Sequence, residues 1–235
     1  MFRTKYIVAA ILLVALHCSG DPLKDTLEVK SFDGSTSAVG LWKNGKKNAP
    51  VAVWFHGGMT SGNCQKGLVA GDDLSSLLPD YWVISVSACR DRHWVTPAAV
   101  QWVDAALDSI ASRGHNPVEK VYLLGVSDGA LGAIVYSMEG RRSAAARLLI
   151  SSFGKSLGEA SSITRHPRVR SGRWLFLQGG SDRLYPSQEA VPWIESFCKT
   201  AGTECDLKYD PRGEHDWSYW KNNHKDWILK LFKEK

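Results

Sequence analysis

An α/β architecture, a mostly parallel central sheet with helices on both faces, is what this sequence predicts, and three observations predict it. Short apolar, β-branched or aromatic runs recur along the chain, most of them four to seven residues long. Several are apolar throughout, which is how strands buried on both faces read. In the later part of the chain longer amphipathic segments alternate with these runs, the mark of βαβ units and of a parallel sheet.

The runs, in order, are "TLEVKSF", "AVGLWK", "PVAVWF", "YWVISVS", "KVYLLG", "ARLLIS", "RWLFLQG" and "CDLKYD". The first two lack helix-length connectors and are expected to lie antiparallel at one edge. "TPAAVQWVDAALDSIASRG" is the clearest helix, with Thr96 as N-cap, Pro97 at the first helical position and Gly114 as stop. "ALGAIVYSMEG", "SQEAVPWIESFCKTAG" and "DWSYWKNNHKDWILKLFKE" are also expected to be helical, the last as one C-terminal helix. No repeat, linker or insertion large enough for a separate cap domain interrupts the pattern.

The chain opens with Arg3 and Lys5, an apolar run from Ile7 to Leu16, and small residues before Asp21. Ten apolar residues are too few to span a bilayer comfortably. The segment 1–20 reads as a secretory signal peptide, leaving 21–235 as one catalytic-sized domain. "ALHC" also loosely resembles a lipoprotein box with Cys18 as the lipidated residue, but His17 stands where a small residue is wanted, so stable membrane attachment is not expected. The net charge of +5 falls to +3 once Arg3 and Lys5 are removed. That is too weak a balance to argue for nucleic acid. The densest basic stretch, with Arg165, Arg168, Arg170 and Arg173, reads as a solvated loop.

Four cysteines remain after cleavage: Cys64, Cys89, Cys198 and Cys205. An even number in an exported chain suggests disulfides. Three pairings are possible. Cys198–Cys205 is favoured by closeness in sequence, and Cys64–Cys89 because it would join loops after successive strands. No cysteine spacing suits zinc and no His-Glu-x-x-His occurs, so no metal or other cofactor is expected.

In a sheet of this kind reactive residues gather in loops at the carboxyl ends of strands. After "VAVWF" comes His56-Gly57-Gly58-Met59-Thr60, where the N–H of Gly58 or Met59 could face an oxyanion. After "KVYLLG" come Val126, Ser127, Asp128 and Gly129. A Gly-x-Ser-x-Gly pattern arises by chance about one time in five at this composition, so its context decides. Here a strand precedes it and a helix follows, as a nucleophile elbow requires, which puts the Asp128 N–H at a helix N-terminus as a second oxyanion donor. The Asp128 side chain is expected to complement the helix dipole. After "RWLFLQ" comes Asp182, placed to orient a histidine. After "CDLKYD" comes His215, placed to take the Ser127 proton. His93, His115, His166 and His224 fit that role less well by position. Oxyanion loop, Ser, Asp and His thus occur in the chain order expected of this catalytic scheme.

With "WFHGGM", "GVSDGA", "GGSDRLYP" and "GEHDWSYW", the chain resembles the α/β-hydrolase superfamily over essentially its whole mature length. The last phrase is similar to the histidine loop of small esterases of the esterase-D, feruloyl-esterase and polyhydroxybutyrate-depolymerase type. The resemblance implies an α/β-hydrolase fold and a cofactor-free serine carboxylester hydrolase working through an acyl-enzyme. It departs from the lipase-type triple-glycine loop, since Met59 takes the third place.

Trp94, Trp217 and Trp220 fall in or beside the expected active-site loops and, with Arg90 and Arg92, could line an acyl or aromatic pocket. The expected function is hydrolysis of short-chain or aromatic esters, small or polymer-linked, outside the cytoplasm. Two other readings stay open on the sequence: a peptidase or acyltransferase with the same three residues, and a non-catalytic binding protein on a hydrolase fold. Oligomeric state leaves no trace in the sequence.

Overall fold

A computed structural model describes residues 23–43, 46–58, 62–91, 93–112 and 116–232. The expected leader, Cys18, Met59, Arg92 and Gly114 lie outside the described residues. Eight strands form one sheet: β1 (Leu23–Lys30), β2 (Thr36–Lys43), β3 (Val51–Phe55), β4 (Trp82–Val86), β5 (Val121–Val126), β6 (Ala144–Ile150), β7 (Arg173–Gly179) and β8 (Cys205–Asp210). Their order is β1-β2-β4-β3-β5-β6-β7-β8. As expected, the two leading strands are antiparallel, β1 to β2 and β2 to β4, and β3 to β8 run parallel.

The all-apolar strands bury both faces. In β5, Val121 and Leu123 enter one core cluster while Tyr122, Leu124 and Val126 enter the other. The first cluster is covered by α3 (Pro97–Ser112), α4 (Asp128–Glu139) and α6 (Ser187–Thr200). The second is covered by α2 (Asp72–Leu77), α7 (Trp217–Asn223) and α8 (Lys225–Lys230). Period-two alternation across the sheet therefore divides the apolar residues between two helical layers. Two short helices, α1 (Gly67–Ala70) and α5 (Ala160–Thr164), complete the set. These and α2 are only four to six residues long, too short to leave a readable period.

One expectation needs correction. The C-terminal segment is two helices, broken at His224, whose backbone leaves the helical region (φ −133°, ψ 32°). The cause is tertiary. His224 Nε2 bonds Asp210 Oδ2 at 2.6 Å, and its ring stacks on Trp227 at 3.9 Å. Both favoured disulfides are present, Cys64–Cys89 and Cys198–Cys205. The first bridges the loops that follow the adjacent strands β3 and β4.

Candidate active site

Parallel strands bring the loops after β3, β5, β7 and β8 to one edge of the sheet. At the end of β5 the chain turns into α4 through Ser127, which holds φ 57° and ψ −128°. A positive φ is unusual for a serine and marks a strained turn. The flanking glycines explain how so tight a turn fits. A Cβ on Gly125 would lie 2.3 Å from Gly129 O, and one on Gly129 would lie 2.0 Å from Phe55 O. Both contacts are with backbone, so neither position tolerates a side chain without separating strand from helix.

Ser127 Oγ lies 2.9 Å from His215 Nε2. On the other side of the ring, His215 Nδ1 lies 2.9 and 3.0 Å from the two oxygens of Asp182. The Nδ1–H therefore points at the carboxylate and leaves Nε2 free to accept the serine proton. Asp182 is buried, and its Oδ1 also accepts the N–H groups of Leu184 and Tyr185, each at 2.9 Å. The Tyr185 ring stacks on His215 with a 14° interplanar angle, which holds the imidazole plane from one side. A pocket of about 730 Å³ opens next to the pair, lined by Gly180 to Leu184 and Glu214 to Asp216. Leu184 stands exposed at its rim.

The His215 loop is pinned at its base by Asp210. The Asp210 carbonyl accepts the N–H groups of Gly180 and Gly213, and its Oδ1 accepts that of Arg212. Its Oδ2 accepts Tyr219 Oη and His224 Nε2, each at 2.6 Å. These donors, Tyr219 first and the Arg212 N–H next, pull the Asp210 carboxyl down to about 2.

The glycine loop after β3 lies beside Ser127: a Cβ on Gly57 would come within 3.4 Å of Ser127 Cβ. The Gly57 carbonyl accepts Lys66 Nζ at 2.5 Å and His56 Nδ1 at 3.0 Å. The Gly58 N–H, one of the two loop groups expected to face an oxyanion, interacts with the Asp128 carboxyl instead. That carboxyl was expected only to complement the helix dipole. It is buried, and burial pushes it up to about 6 against the pull of the Gly58 N–H, Lys66, its own N–H and His93. His56 is buried too and lowered to about 4, by desolvation first and Lys66 as well, with the Gly57 carbonyl opposing. Its Nε2 accepts the Ala88 N–H at 3.2 Å, which fixes the neutral tautomer.

Two of the three tryptophans do not line an open pocket. Trp94 and Trp220 are buried, and main-chain oxygens accept their indole N–H groups, His56 O at 2.7 Å and Glu214 O at 2.9 Å. They fasten the glycine loop after β3 and the histidine loop after β8. Trp217 is half-buried against Trp54. Arg90 is exposed. Lys66 and Tyr185 join the site with no role read for them in the sequence. Among the described residues, no group of three or more His, Cys, Asp or Glu side chains is placed to hold a metal.

The strand order and the serine at the β5–α4 turn define the α/β-hydrolase fold. No protein-family model and no curated protein matches this sequence. Solved structures do match. A cold-adapted esterase from an Arctic intertidal metagenomic library aligns with a TM-score of 0.64 at 18% identity, over 89% of this chain and 94% of that one. An esterase of Pyrococcus furiosus aligns at 0.66 and 13%, over 90% and 92%. The acylaminoacyl peptidase of Pyrococcus horikoshii aligns at 0.69 and 13% over 93% of this chain, which spans only 42% of the peptidase.

Proposed function

We propose that this protein is an exported serine hydrolase that cleaves carboxylic esters through an acyl-enzyme. The observation that carries the reading is the unbroken hydrogen-bond chain from Ser127 through His215 to Asp182, with the serine on a positive-φ turn. Ser127 Oγ attacks the ester carbonyl and its proton passes to His215 Nε2. Asp182 holds the ring orientation and stabilises the imidazolium. The oxyanion is received by the Asp128 N–H at the start of α4 and by the Met59 N–H, the candidate left in the glycine loop once the Gly58 N–H is engaged by the Asp128 carboxyl. His215 then protonates the departing alcohol. Water repeats the sequence on the acyl-enzyme and restores Ser127.

The ester reading is supported by structural neighbours of comparable length that are esterases, such as the Arctic metagenomic and Pyrococcus furiosus proteins. The peptidase neighbours carry the matching unit inside much longer chains, 42% and 36% of which is covered. Short-chain or aromatic acyl groups suit a site over which no cap domain lies among the described residues. Export is supported by the charged, apolar and small-residue pattern of residues 1–20 together with two disulfides. The purified protein is expected to release p-nitrophenol from acetate or butyrate esters and to react with a fluorophosphonate at Ser127. Ser127→Ala should lower kcat by about 10⁴-fold or more. Equal rates in both proteins would sink the proposal, and product analysis with added amines would expose acyl transfer.

A further inference from the structure

The peptide unit between Gly57 and Gly58 has no side chain on either residue to fix its plane, and Gly58 takes φ 97°. A glycine pair of this kind can turn its peptide at low cost. Yet this peptide sets the course of the chain into residue 59, whose N–H is the loop donor left for the reacting carbonyl, and oxyanion stabilisation depends on the direction of the donor.

Both polar groups of that one peptide meet charged side chains. Its carbonyl accepts Lys66 Nζ at 2.5 Å, with His56 Nδ1 behind it at 3.0 Å. Its N–H faces the Asp128 carboxyl, and the Lys66 ammonium attracts that same carboxyl across the peptide. Asp128 is only 4% exposed and its Oδ1 has no hydrogen-bond partner. A buried acid with an unmatched oxygen is destabilising. Nothing in the packing of α4 calls for one, whereas a group that must hold a loop beside the serine has reason to be there.

We propose that Lys66 and Asp128 are positioning residues that clamp the Gly57–Gly58 peptide by its two ends, and so set the face that the oxyanion loop turns to Ser127. The clamp rests on the reading of Ser127 as nucleophile. It also accounts for two charged residues of opposite sign meeting at an uncharged peptide. Lys66 polarises the carbonyl, which sharpens the N–H as a donor to Asp128. Removing either end frees the same peptide.

The test uses Lys66→Met, Asp128→Ala, Asp128→Asn and the Lys66→Met/Asp128→Ala double variant. Rates on p-nitrophenyl butyrate are compared with affinity for a trifluoromethyl ketone, which serine converts to a tetrahedral oxyanion. Lys66→Met and Asp128→Ala are expected to lower kcat by about 10- to 100-fold with KM within about twofold, and to weaken ketone binding in parallel with kcat/KM. Asp128→Asn should recover most of the loss, since its amide oxygen still accepts the Gly58 N–H. The double variant should fall no more than about threefold below the worse single, because both substitutions act on one peptide. Lys66→Met with wild-type kcat and ketone affinity would overturn the clamp, as would Asp128→Asn as impaired as Asp128→Ala. Thermal melting identifies any variant that fails to fold, and half-buried Lys66 carries the test if Asp128→Ala does. Fluorophosphonate labelling of the wild type separates the two ideas. An unlabelled Ser127 removes the nucleophile reading, whereas a labelled Ser127 with an unaffected Lys66→Met removes the clamp alone.

Discussion

Two buried titratable residues beside Ser127 pull stability in opposite directions with pH. Burial lowers His56 from 6.5 to about 4, so the folded state holds it neutral while the unfolded chain takes up a proton. Its contribution is complete above about 6.5 and is lost as the pH falls toward about 4. Asp128 is the reverse. Its carboxyl rises from 3.8 to about 6, so the folded state favours the protonated form, and stability is lost as the pH rises from about 4 to about 6. Either effect is worth at most about 3.5 kcal/mol. Urea unfolding at pH 4 and pH 7 should show His56→Gln with a smaller acid loss than the wild type. Asp128→Asn should gain more relative to the wild type at pH 7 than at pH 4. Parallel pH profiles for all three proteins would contradict the burial of these groups. The sequence could not announce either effect. Whether an acid in a first helical turn faces water or a loop depends on what packs above it, and Gly57–Gly58 is backbone, which leaves no side-chain pattern to read. Lys66 was invisible for the same reason, since its partner is a peptide carbonyl.

At the scale of elements, the legible parts were those that a period or a strand end defines. Ser127, Asp182 and His215 each lie in the turn or loop after a strand readable in the sequence, and a parallel sheet delivers such strand ends to one edge. The glycine spacing around Ser127 was readable because the β3–α4 approach leaves no room for a Cβ at residue 129. The C-terminal helix was misread as continuous because the His224 bond to Asp210 overrides local helical preference. Trp94 and Trp220 were misread because proximity to a reactive loop does not say which side of it a ring lies on. The same Asp210 that breaks the helix anchors the histidine loop, so its loss should be felt at the site. Asp210→Ala leaves the Tyr219 and His224 donors unmatched and the loop base free. It should lower kcat by about tenfold and stability by about 1–3 kcal/mol. A variant that melts earlier yet turns over at the wild-type rate would show that the anchor serves the fold alone.

Across the whole molecule, stability and activity should separate according to which disulfide is cut. Cys64–Cys89 closes a 25-residue separation and Cys198–Cys205 one of seven, so chain entropy assigns them about 3.5 and about 2.4 kcal/mol respectively. Against a net stability of roughly 5–15 kcal/mol, either loss is large. Their positions differ, however. Cys198–Cys205 ties the end of α6 to the start of β8, at the edge of the sheet remote from the reactive loops, because β8 begins where its neighbours begin. Cys64–Cys89 lies at the carboxyl ends of β3 and β4, two residues before Lys66, and holds that segment against the loop after β4. Opening it releases Lys66 locally, at a free energy below that of global unfolding. The Cys198→Ser/Cys205→Ser protein should therefore melt early and, well below its Tm, hydrolyse esters at close to the wild-type rate. The Cys64→Ser/Cys89→Ser protein should lose somewhat more stability and, at the same distance below its own Tm, also show a kcat reduced toward that of Lys66→Met. Steady-state rates measured at matched intervals below each Tm decide the matter. Equal rates in the two double-serine proteins would mean that the β3–β4 disulfide stabilises the domain without arranging the glycine loop after β3.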